Sequence, residues 1–251
     1  MSWDLKLRWN AYTEPWQPLS YAYWYLLQNL SNGLRDIRGR TFATWYSTLG
    51  HHFAAYEENC TPVPRLVGMA RGQVLELGPG SGNQLPRFTR SATSQIYGLE
   101  PNKQLFHLLR DEVIAKQNLG DIYISINATL EDDEVLKSRG IEAGTIDTVV
   151  CMQVLCSVSD ATLAAKQIHR LLKPGGQLLF WEHQASNDML TRLVQGCWNL
   201  VWSPVTGGCH LSCSVEQAIM AAGDWEVVEL GHDDDQPWQL MPRVWGRFVK
   251  L

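Results

Sequence analysis

The stretch Val74-Leu75-Glu76-Leu77-Gly78-Pro79-Gly80-Ser81-Gly82 decides the fold of this chain. Its first four residues are mostly apolar and typical of a buried strand, and three glycines at alternate positions follow them directly. Glycine tolerates positive φ and has no Cβ, so a turn built from it can lie close against a ligand. The stretch therefore predicts a strand that runs into a ligand-binding turn.

A carboxylate ends the next predicted strand. Ile96-Tyr97-Gly98-Leu99 leads into Glu100, which follows Gly80 by 20 residues. In a doubly wound sheet Glu100 then lies beside the glycine turn, where it can accept hydrogen bonds from both ribose hydroxyls of a nucleoside. A dinucleotide needs a helix N-terminus for its pyrophosphate, usually with Gly-x-Gly-x-x-Gly. The Glu-x-Gly-x-Gly-x-Gly spacing here instead resembles the methyltransferase form, which receives the amino acid end of S-adenosylmethionine.

Strand and helix patterns alternate from Gly72 to the end of the chain. Such alternation implies βαβ crossovers and a mainly parallel sheet that is covered on both faces. We predict an α/β fold, a Rossmann-like, seven-stranded, mostly parallel sheet with helices on both faces and an N-terminal helical cover. The predicted strands are 73–77, 95–99, 122–126, 145–151, 177–181, 225–230 and 243–250. The predicted helices between them are 103–116, 161–172 and 215–222.

The N-terminal segment differs in character from the rest. Its first 25 residues contain eight aromatic side chains, and helical patterns follow at 19–30 and 40–58. We predict an aromatic-rich helical cover for the substrate over residues 1–70. Residues 71–251 are expected to form the Rossmann-like domain, with a pocket-forming insertion at about 184–214.

Composition and charge limit the partners. The 251 residues include 21 basic and 26 acidic side chains, a formal net charge of −5, and no Lys/Arg run, which disfavours nucleic acid. No apolar run approaches the ~18 residues of a membrane span, although a peripheral membrane contact stays open. The N-terminus does not resemble a secretory signal, so we expect a cytoplasmic protein with free thiols. The oligomeric state is left open.

One group of residues invites a metal-site interpretation. Cys197, Cys209, His210 and Cys213 lie close together in the sequence. Their spacing fits no common zinc pattern, so no metal site is predicted. Cys156 is expected in the core.

Several motifs resemble those of class I methyltransferases, namely 75–82, the strand ending at Glu100, and Leu172-Lys173-Pro174-Gly175-Gly176. Closer matches resemble the methyltransferase-like protein 7 branch, which contains alkyl thiol methyltransferases. These matches are 98–102, 147–151, 154–158, 180–183 and 207–211. Two features depart from the branch: members often begin with a hydrophobic anchor, and this chain has Leu211-Ser212-Cys213 where a Leu-Thr-Arg sequence is expected.

The resemblance implies a set of contacts with S-adenosyl-L-methionine. Glu76, Gly78 and Gly80 would surround its methionine end, and Glu100 would hold the ribose. Asn127 and Ala128 resemble the pair that reads adenine. The remaining implied cofactor contacts are Pro101 and Asn102 beside the ribose, and Cys151, Met152 and Gln153 near the sulfonium.

The chemistry of methyl transfer bears on the acceptor site. The protein mainly supplies alignment and excludes water. A thiol is partly ionised near neutral pH, whereas a phenol or an amine is better served by a general base. His183, at the carboxyl end of the fifth strand, is the candidate base or positioning residue. The candidate substrate contacts are Trp24, Trp198, Trp202 and His210.

Together these patterns predict an S-adenosylmethionine-dependent methyltransferase that acts on a small apolar or aromatic molecule. S-methylation of a thiol is the first choice, and O- or N-methylation of a small metabolite is an alternative. Two further hypotheses are a cyclase or pericyclase that keeps the cofactor without transferring its methyl group, and a non-catalytic binding protein. Fold alone does not decide among them.

Overall fold

The computed structural model describes residues 2–30, 33, 36–110, 119–232, 236 and 238–251. These residues form a seven-stranded sheet in the order β3-β2-β1-β4-β5-β7-β6, in which β7 runs antiparallel to both of its neighbours. The predicted mostly parallel, Rossmann-like sheet is therefore confirmed. The strands are β1 Gly72–Leu77, β2 Thr93–Leu99, β3 Tyr123–Ile126, β4 Ile146–Met152, β5 Leu172–His183, β6 Trp225–His232 and β7 Arg243–Lys250.

Helices pack on both faces of the sheet, and the N-terminal helices precede it in the chain. They are α1 Ser2–Thr13, α2 Trp16–Leu30, α3 Ile37–Cys60, α4 Val63–Gly68, α5 Lys103–Leu108, α6 Asp133–Ser138, α7 Ala161–Leu171, α8 Met189–Trp202 and α9 Val215–Met220. Side-chain caps define two of the N-termini: Asp160 accepts hydrogen bonds from two backbone N–H groups of α7, and Asp188 accepts one from α8. Of the predicted helix 103–116, residues 111–116 lie outside the described residues.

One strand is longer than its apolar pattern predicts. The prediction began β5 at residue 177, but the strand begins at Leu172, where the prediction placed the end of a helix. Leu172 pairs with Ile146 of β4, and the register shifts before the next pair, Thr148 with Gln177. The Pro-Gly-Gly sequence at 174–176 therefore lies in the irregular part of the strand, between the two pairs where the register shifts, which is where proline and glycine are tolerated in a sheet.

The central strands carry the core on both faces of the sheet. Successive side chains of a strand point to opposite faces. Leu75, Val149 and Leu178 accordingly belong to one buried apolar cluster, with residues of α2, α3 and α7. Val74, Val150 and Leu179 belong to a second cluster on the other face, with residues of α4. Helices α2 and α3 thus pack over one face of the sheet, and α4 packs over the other.

None of the helices in the described ranges combines the length and the hydropathy needed to cross a lipid bilayer.

Candidate active site

Two adjoining cavities lie at the carboxyl ends of the parallel strands. The first has a volume of about 330 Å³ and is lined by the glycine turn after β1 and by the residues that follow β2, β3 and β4. The second has a volume of about 360 Å³ and lies under α2 and α3. Four residues line both cavities, namely Phe42, Tyr46, Gln153 and Ser157. The two spaces therefore share one wall.

The glycine turn fits tightly against its surroundings. Gly78 and Gly80 have φ values of 55° and 58°, in the left-handed region that favours glycine. A Cβ on Gly78 would lie 2.8 Å from Val154 Cγ2, and one on Gly80 would lie 2.5 Å from Tyr46 Cε1. Any side chain at either position would therefore displace a wall of the first cavity.

Glu100 joins the glycine turn to the end of β2. Its carboxylate accepts the N–H of Gly80 at 2.9 Å and the N–H of Asn102 at 2.8 Å. The residue is only 4% exposed, and this burial raises the pKa of Glu100 to about 7, although the two N–H groups oppose the rise. Glu100 lines the first cavity, so a ligand hydroxyl there can donate to it.

Glu76 is a second buried carboxyl beside this cavity. Its Oε2 accepts a hydrogen bond from the Tyr123 hydroxyl at 2.6 Å, whereas its Oε1 has no partner among the described residues. Burial raises the pKa of Glu76 to about 7, and the nearby Glu100 adds to the rise. An unpaired buried acceptor next to a glycine turn fits a ligand that donates hydrogen bonds, as the ammonium group of an amino acid does.

The structure brings most of the predicted cofactor residues to the first cavity. Those that line it are Gly78, Gly80, Glu100, Pro101, Ala128, Met152 and Gln153. Four others are not among its described lining residues, namely Glu76, Asn102, Asn127 and Cys151. Each of these four makes a hydrogen bond to a neighbouring residue.

These neighbour contacts are specific. Glu76 and Asn102 bond to Tyr123 and to Glu100, as described above. Asn127 is exposed, and its Nδ2 donates to the backbone oxygen of Glu100 at 2.8 Å. The fully buried Cys151 points away from the cavity, and its thiol donates to Glu182 Oε1 at 3.2 Å.

Gln153 holds an unusual backbone conformation at the shared wall. Its φ is 61°, which few non-glycine residues adopt, and its N–H donates to the backbone oxygen of Trp181 at 2.8 Å. Such conformations cost free energy and cluster at functional sites, where the surrounding structure holds them. The side chain of Gln153 thereby reaches both cavities.

Seven aromatic side chains line the second cavity. Of the predicted substrate contacts, Trp202 lines it and so does His183, the candidate base. Trp24, Trp198 and His210 are not among its described lining residues. Trp24 is 59% exposed, Trp198 donates its indole N–H to the backbone of Tyr12, and His210 Nε2 lies 3.3 Å from Ser203 Oγ.

Five aromatic residues of α3 line the second cavity, and none of them was predicted from the sequence as a substrate contact. They are Phe42, Trp45, Tyr46, Phe53 and Tyr56. The first three recur at three- and four-residue spacing, so they lie on one face of the helix. That periodicity is the signal that could have identified them.

His183 lies between the shared wall and two cysteines. Its Nε2 is 3.4 Å from Gln153 Nε2, and its Nδ1 is 3.3 Å from Cys209 Sγ and 3.6 Å from Cys156 Sγ. The sulfurs of Cys156 and Cys209 share a hydrogen bond at 3.6 Å, and this contact, together with His183, holds the pKa of Cys209 well below its usual value. The sequence pattern instead groups Cys209 with Cys197, His210 and Cys213.

Glu182 fixes the turn that follows β4. Its fully buried carboxylate accepts the N–H groups of Val154, Leu155 and Cys156 at 2.8, 3.0 and 3.2 Å. Burial raises the pKa of this carboxyl, and the N–H groups oppose that rise. The turn supplies walls to both cavities, so Glu182 positions the site without lining it.

Solved structures with this architecture include two methyltransferases and a cyclase. An O-methyltransferase family protein from Burkholderia thailandensis superposes with a TM-score of 0.60 at 18% identity, covering 91% of this chain and 70% of that one. The N-methyltransferase NodS from Bradyrhizobium japonicum WM9, in complex with S-adenosyl-L-homocysteine, gives a TM-score of 0.53 at 16% identity, with 77% and 86% coverage. The [4+2]-cyclase SpnF gives 0.55 at 16% identity, with 75% and 79% coverage. At these identities the likeness shows the fold of the class I methyltransferases.

Sequence comparison identifies the family. A methyltransferase domain model matches residues 51–230. Thiol S-methyltransferase TMT1B from Mus musculus is 34% identical over 184 residues, which are 70% of this chain and 70% of that protein. TMT1B from Rattus norvegicus is 35% identical over 111 residues, 42% of this chain and 44% of that protein. This chain belongs to the S-adenosylmethionine-dependent methyltransferase family, and it spans about half the length of the rat and human TMT1B proteins that it matches.

The first prediction concerns Glu100. Replacing it with glutamine removes the charge that would accept ribose hydroxyls. The binding free energy for S-adenosylhomocysteine should therefore weaken by roughly 1–3 kcal/mol, a rise in Kd of about 5- to 150-fold, measured by calorimetry. Glu134→Gln, on an exposed side chain of α6, is the matched control and should leave the Kd unchanged. An unaltered Kd for folded Glu100→Gln would remove this residue from the cofactor site.

The second prediction concerns pH and Glu76. Its pKa is raised from 4.5 to about 7 in the folded chain, so the native state holds more protons than the unfolded state between these values. The free energy of unfolding should therefore fall as pH rises from 5 to 8. In Glu76→Gln this fall should be smaller than in the wild type by about 2–3 kcal/mol. Urea unfolding without cofactor measures both profiles. Parallel profiles for the two proteins would contradict the raised pKa.

Proposed function

We propose that this protein transfers a methyl group from S-adenosylmethionine to the sulfur of a small apolar thiol. The observation that carries the proposal is the shared wall between a cavity suited to the cofactor and a cavity lined with aromatic side chains. Two substrates seated on either side of Gln153 are held in neighbouring spaces, which is what a direct displacement requires. The relatedness to thiol S-methyltransferases supports sulfur as the acceptor atom.

The cofactor assignment follows the first cavity. In the proposed arrangement Gly78, Gly80 and the unpaired oxygen of Glu76 receive the methionine end, and Glu100 receives the ribose. Ala128, with Asn127 beside it, receives the adenine at the carboxyl end of β3. Met152 and Gln153 flank the sulfonium. Asn102 supports Glu100 through its N–H, Pro101 flanks the ribose, and Cys151 supports the turn after β4 through Glu182.

When bound, S-adenosylmethionine supplies both the methyl group and its leaving group. The residues of this chain then need only hold the acceptor in line and exclude water. Two N-terminal helices form part of the wall of the second cavity. Helix α2 contributes Gln17 and Pro18, and α3 contributes its aromatic face. We propose that residues 1–70 form the substrate cover and that the insertion with α8 closes the opposite side.

The charges around the second cavity favour an uncharged, apolar acceptor. Glu57 lines the cavity, but it is paired with Arg87 at 2.5 Å and also accepts from Gln84 at 3.0 Å. The guanidinium of Arg243 lies 4.8 Å from the Trp181 ring, over its face. Glu57 and Arg243 are thus engaged by the protein, and the third charged residue of the lining, Glu14, lies at an exposed position. The buried part of the wall leaves aromatic surface for the acceptor.

A phenol or an amine is the second candidate acceptor, because a buried histidine lines the same cavity. Such an acceptor gains from a general base, and His183 is the residue at hand for that role. A thiol needs no base, since its own ionisation near neutral pH supplies the nucleophile. His183 would therefore act as a general base for a phenol or an amine, and as a positioning residue for a thiol.

Turnover with matched acceptors tests the proposed function. The full chain is incubated with methyl-labelled S-adenosylmethionine and with thiols, phenols and amines of equal size, such as benzenethiol, phenol and aniline. We expect labelled thioether and S-adenosylhomocysteine in equal amounts, with kcat/KM for the thiol at least about tenfold above that for the phenol. Labelling of the phenol or the amine alone would overturn the choice of sulfur, and cofactor binding without labelled product would overturn methyl transfer.

Two tryptophans of α8 form a matched pair for the acceptor cavity. Trp202 is 4% exposed and lines the cavity, whereas Trp198 bonds to α1 outside its described lining. Trp202→Phe removes apolar contact area, so KM for the thiol should rise about fivefold, the equivalent of ~1 kcal/mol, with an unchanged Kd for S-adenosylhomocysteine. Trp198→Phe should change neither quantity. Equal effects of the two variants on KM would show that the cavity is not the acceptor site.

A further inference from the structure

Two cysteines and a histidine converge on one point beside the second cavity. Cys156 follows β4, His183 ends β5, and Cys209 lies in the loop after α8. All three side chains are buried, and within the described part of the chain they are the one such group whose ligand atoms all lie within 4.8 Å of one another. Each residue belongs to a different one of the segments that resemble the thiol methyltransferase branch.

The separations among their ligand atoms match one face of a zinc tetrahedron. The two sulfurs are 3.6 Å apart, and His183 Nδ1 lies 3.6 Å from Cys156 Sγ and 3.3 Å from Cys209 Sγ. Zinc binds sulfur at about 2.3 Å and nitrogen at about 2.0–2.1 Å, so a tetrahedral ion places two sulfur ligands about 3.8 Å apart and a sulfur and a nitrogen about 3.6 Å apart. The ion therefore fits with shifts of a few tenths of an ångström.

Hydrogen bonds hold the segments of Cys156 and Cys209 in place. The Cys156 N–H donates to Glu182, and the backbone oxygen of Cys156 accepts the N–H of His210 at 2.8 Å, which ties the loop of Cys209 to the turn after β4. His183 Nε2 lies 3.4 Å from the side-chain amide of Gln153. With that amide rotated by half a turn, its oxygen would accept the Nε2–H and leave Nδ1 free to bind a metal.

We propose that Cys156, His183 and Cys209 bind one zinc ion, whose fourth position opens to the second cavity. Two thiolates neutralise the charge of the ion, which allows its burial beside an aromatic wall, and the thiolate and imidazole ligands favour zinc over a hard cation. His183 and Cys209 themselves line the cavity. Three protein ligands with an open position are typical of a catalytic rather than a structural zinc site.

The open position has a consequence that rests on the proposed function. A thiol that enters the second cavity can take the fourth position through its sulfur and release its proton to solvent. The metal then holds the acceptor atom as a thiolate next to the wall shared with the first cavity. In this arrangement His183 is a metal ligand, and it positions the acceptor through the ion.

Metal analysis of the full chain tests the site. The protein is purified under reductant, supplied with zinc and dialysed, and its metal content is measured. We expect about one zinc ion per chain in the wild type and in Cys213→Ser, the matched control on a half-buried thiol, and at least about a tenfold loss in Cys156→Ser/Cys209→Ser. A wild type that holds no more zinc than the double variant overturns the proposal. The proposal is also overturned if mass analysis finds a Cys156–Cys209 disulfide in the protein that was purified under reductant.

Cobalt substitution tests the same site in the unaltered chain, where folding of a variant is not in question. One equivalent of Co²⁺ should produce thiolate-to-cobalt charge-transfer absorption that zinc abolishes. Adding benzenethiol without S-adenosylmethionine should then shift the visible cobalt bands, because the thiol replaces water. The absence of charge-transfer absorption would overturn the metal site. Visible bands that stay unchanged when the thiol is added would overturn the open position. Both readouts are independent of methyl transfer, so they separate failure of the site from failure of the proposed function.

Discussion

The site depends on one buried carboxylate. Glu182 accepts three successive backbone N–H groups of the turn after β4, at 2.8 to 3.2 Å, and this fixes the path of the chain between the two cavities. Val154 of that turn packs where any Cβ on Gly78 would fall, and Cys156 faces His183. A buried charge is tolerated only when its hydrogen bonds are satisfied, so the turn and the carboxylate require each other.

The wall shared by the two cavities distinguishes this chain from a Rossmann-like sheet alone. A Rossmann-like sheet alone offers an open crevice at the carboxyl ends of its strands. In this chain α2 and α3 close that crevice and divide it, because Phe42 and Tyr46 lie between the two spaces. The N-terminal layer is packed into the core through Leu19, Ala22 and Trp45, which are 2%, 0% and 6% exposed. Helices α2 and α3 are thus part of the folded domain, and both contribute to the walls of the cavities.

The strand periodicity and the glycine turn predicted the sheet, its order of elements and the carboxylate beside the turn. These features arise from local patterns, since strand alternation and positive φ are properties of short segments. Side-chain direction was less predictable. Cys151 and Met152 are adjacent, yet Met152 lines the first cavity while Cys151 points to Glu182. Trp202 and Trp198 differ in the same way, because one turn of α8 separates a cavity wall from a contact with α1.

The class of fold, the position of the glycine turn and the family follow from the sequence, because each depends on contiguous residues. Which residues line the second cavity depends on the tertiary structure. Cys156 and His183 are 27 residues apart, and Cys156 and Cys209 are 53 apart, yet their sulfur and nitrogen atoms lie within 3.6 Å of each other. No periodicity relates them, since a strand end and two loops meet there only through the packing of β4, β5 and α8. Contacts between distant segments determine this arrangement, so a local sequence pattern cannot predict it.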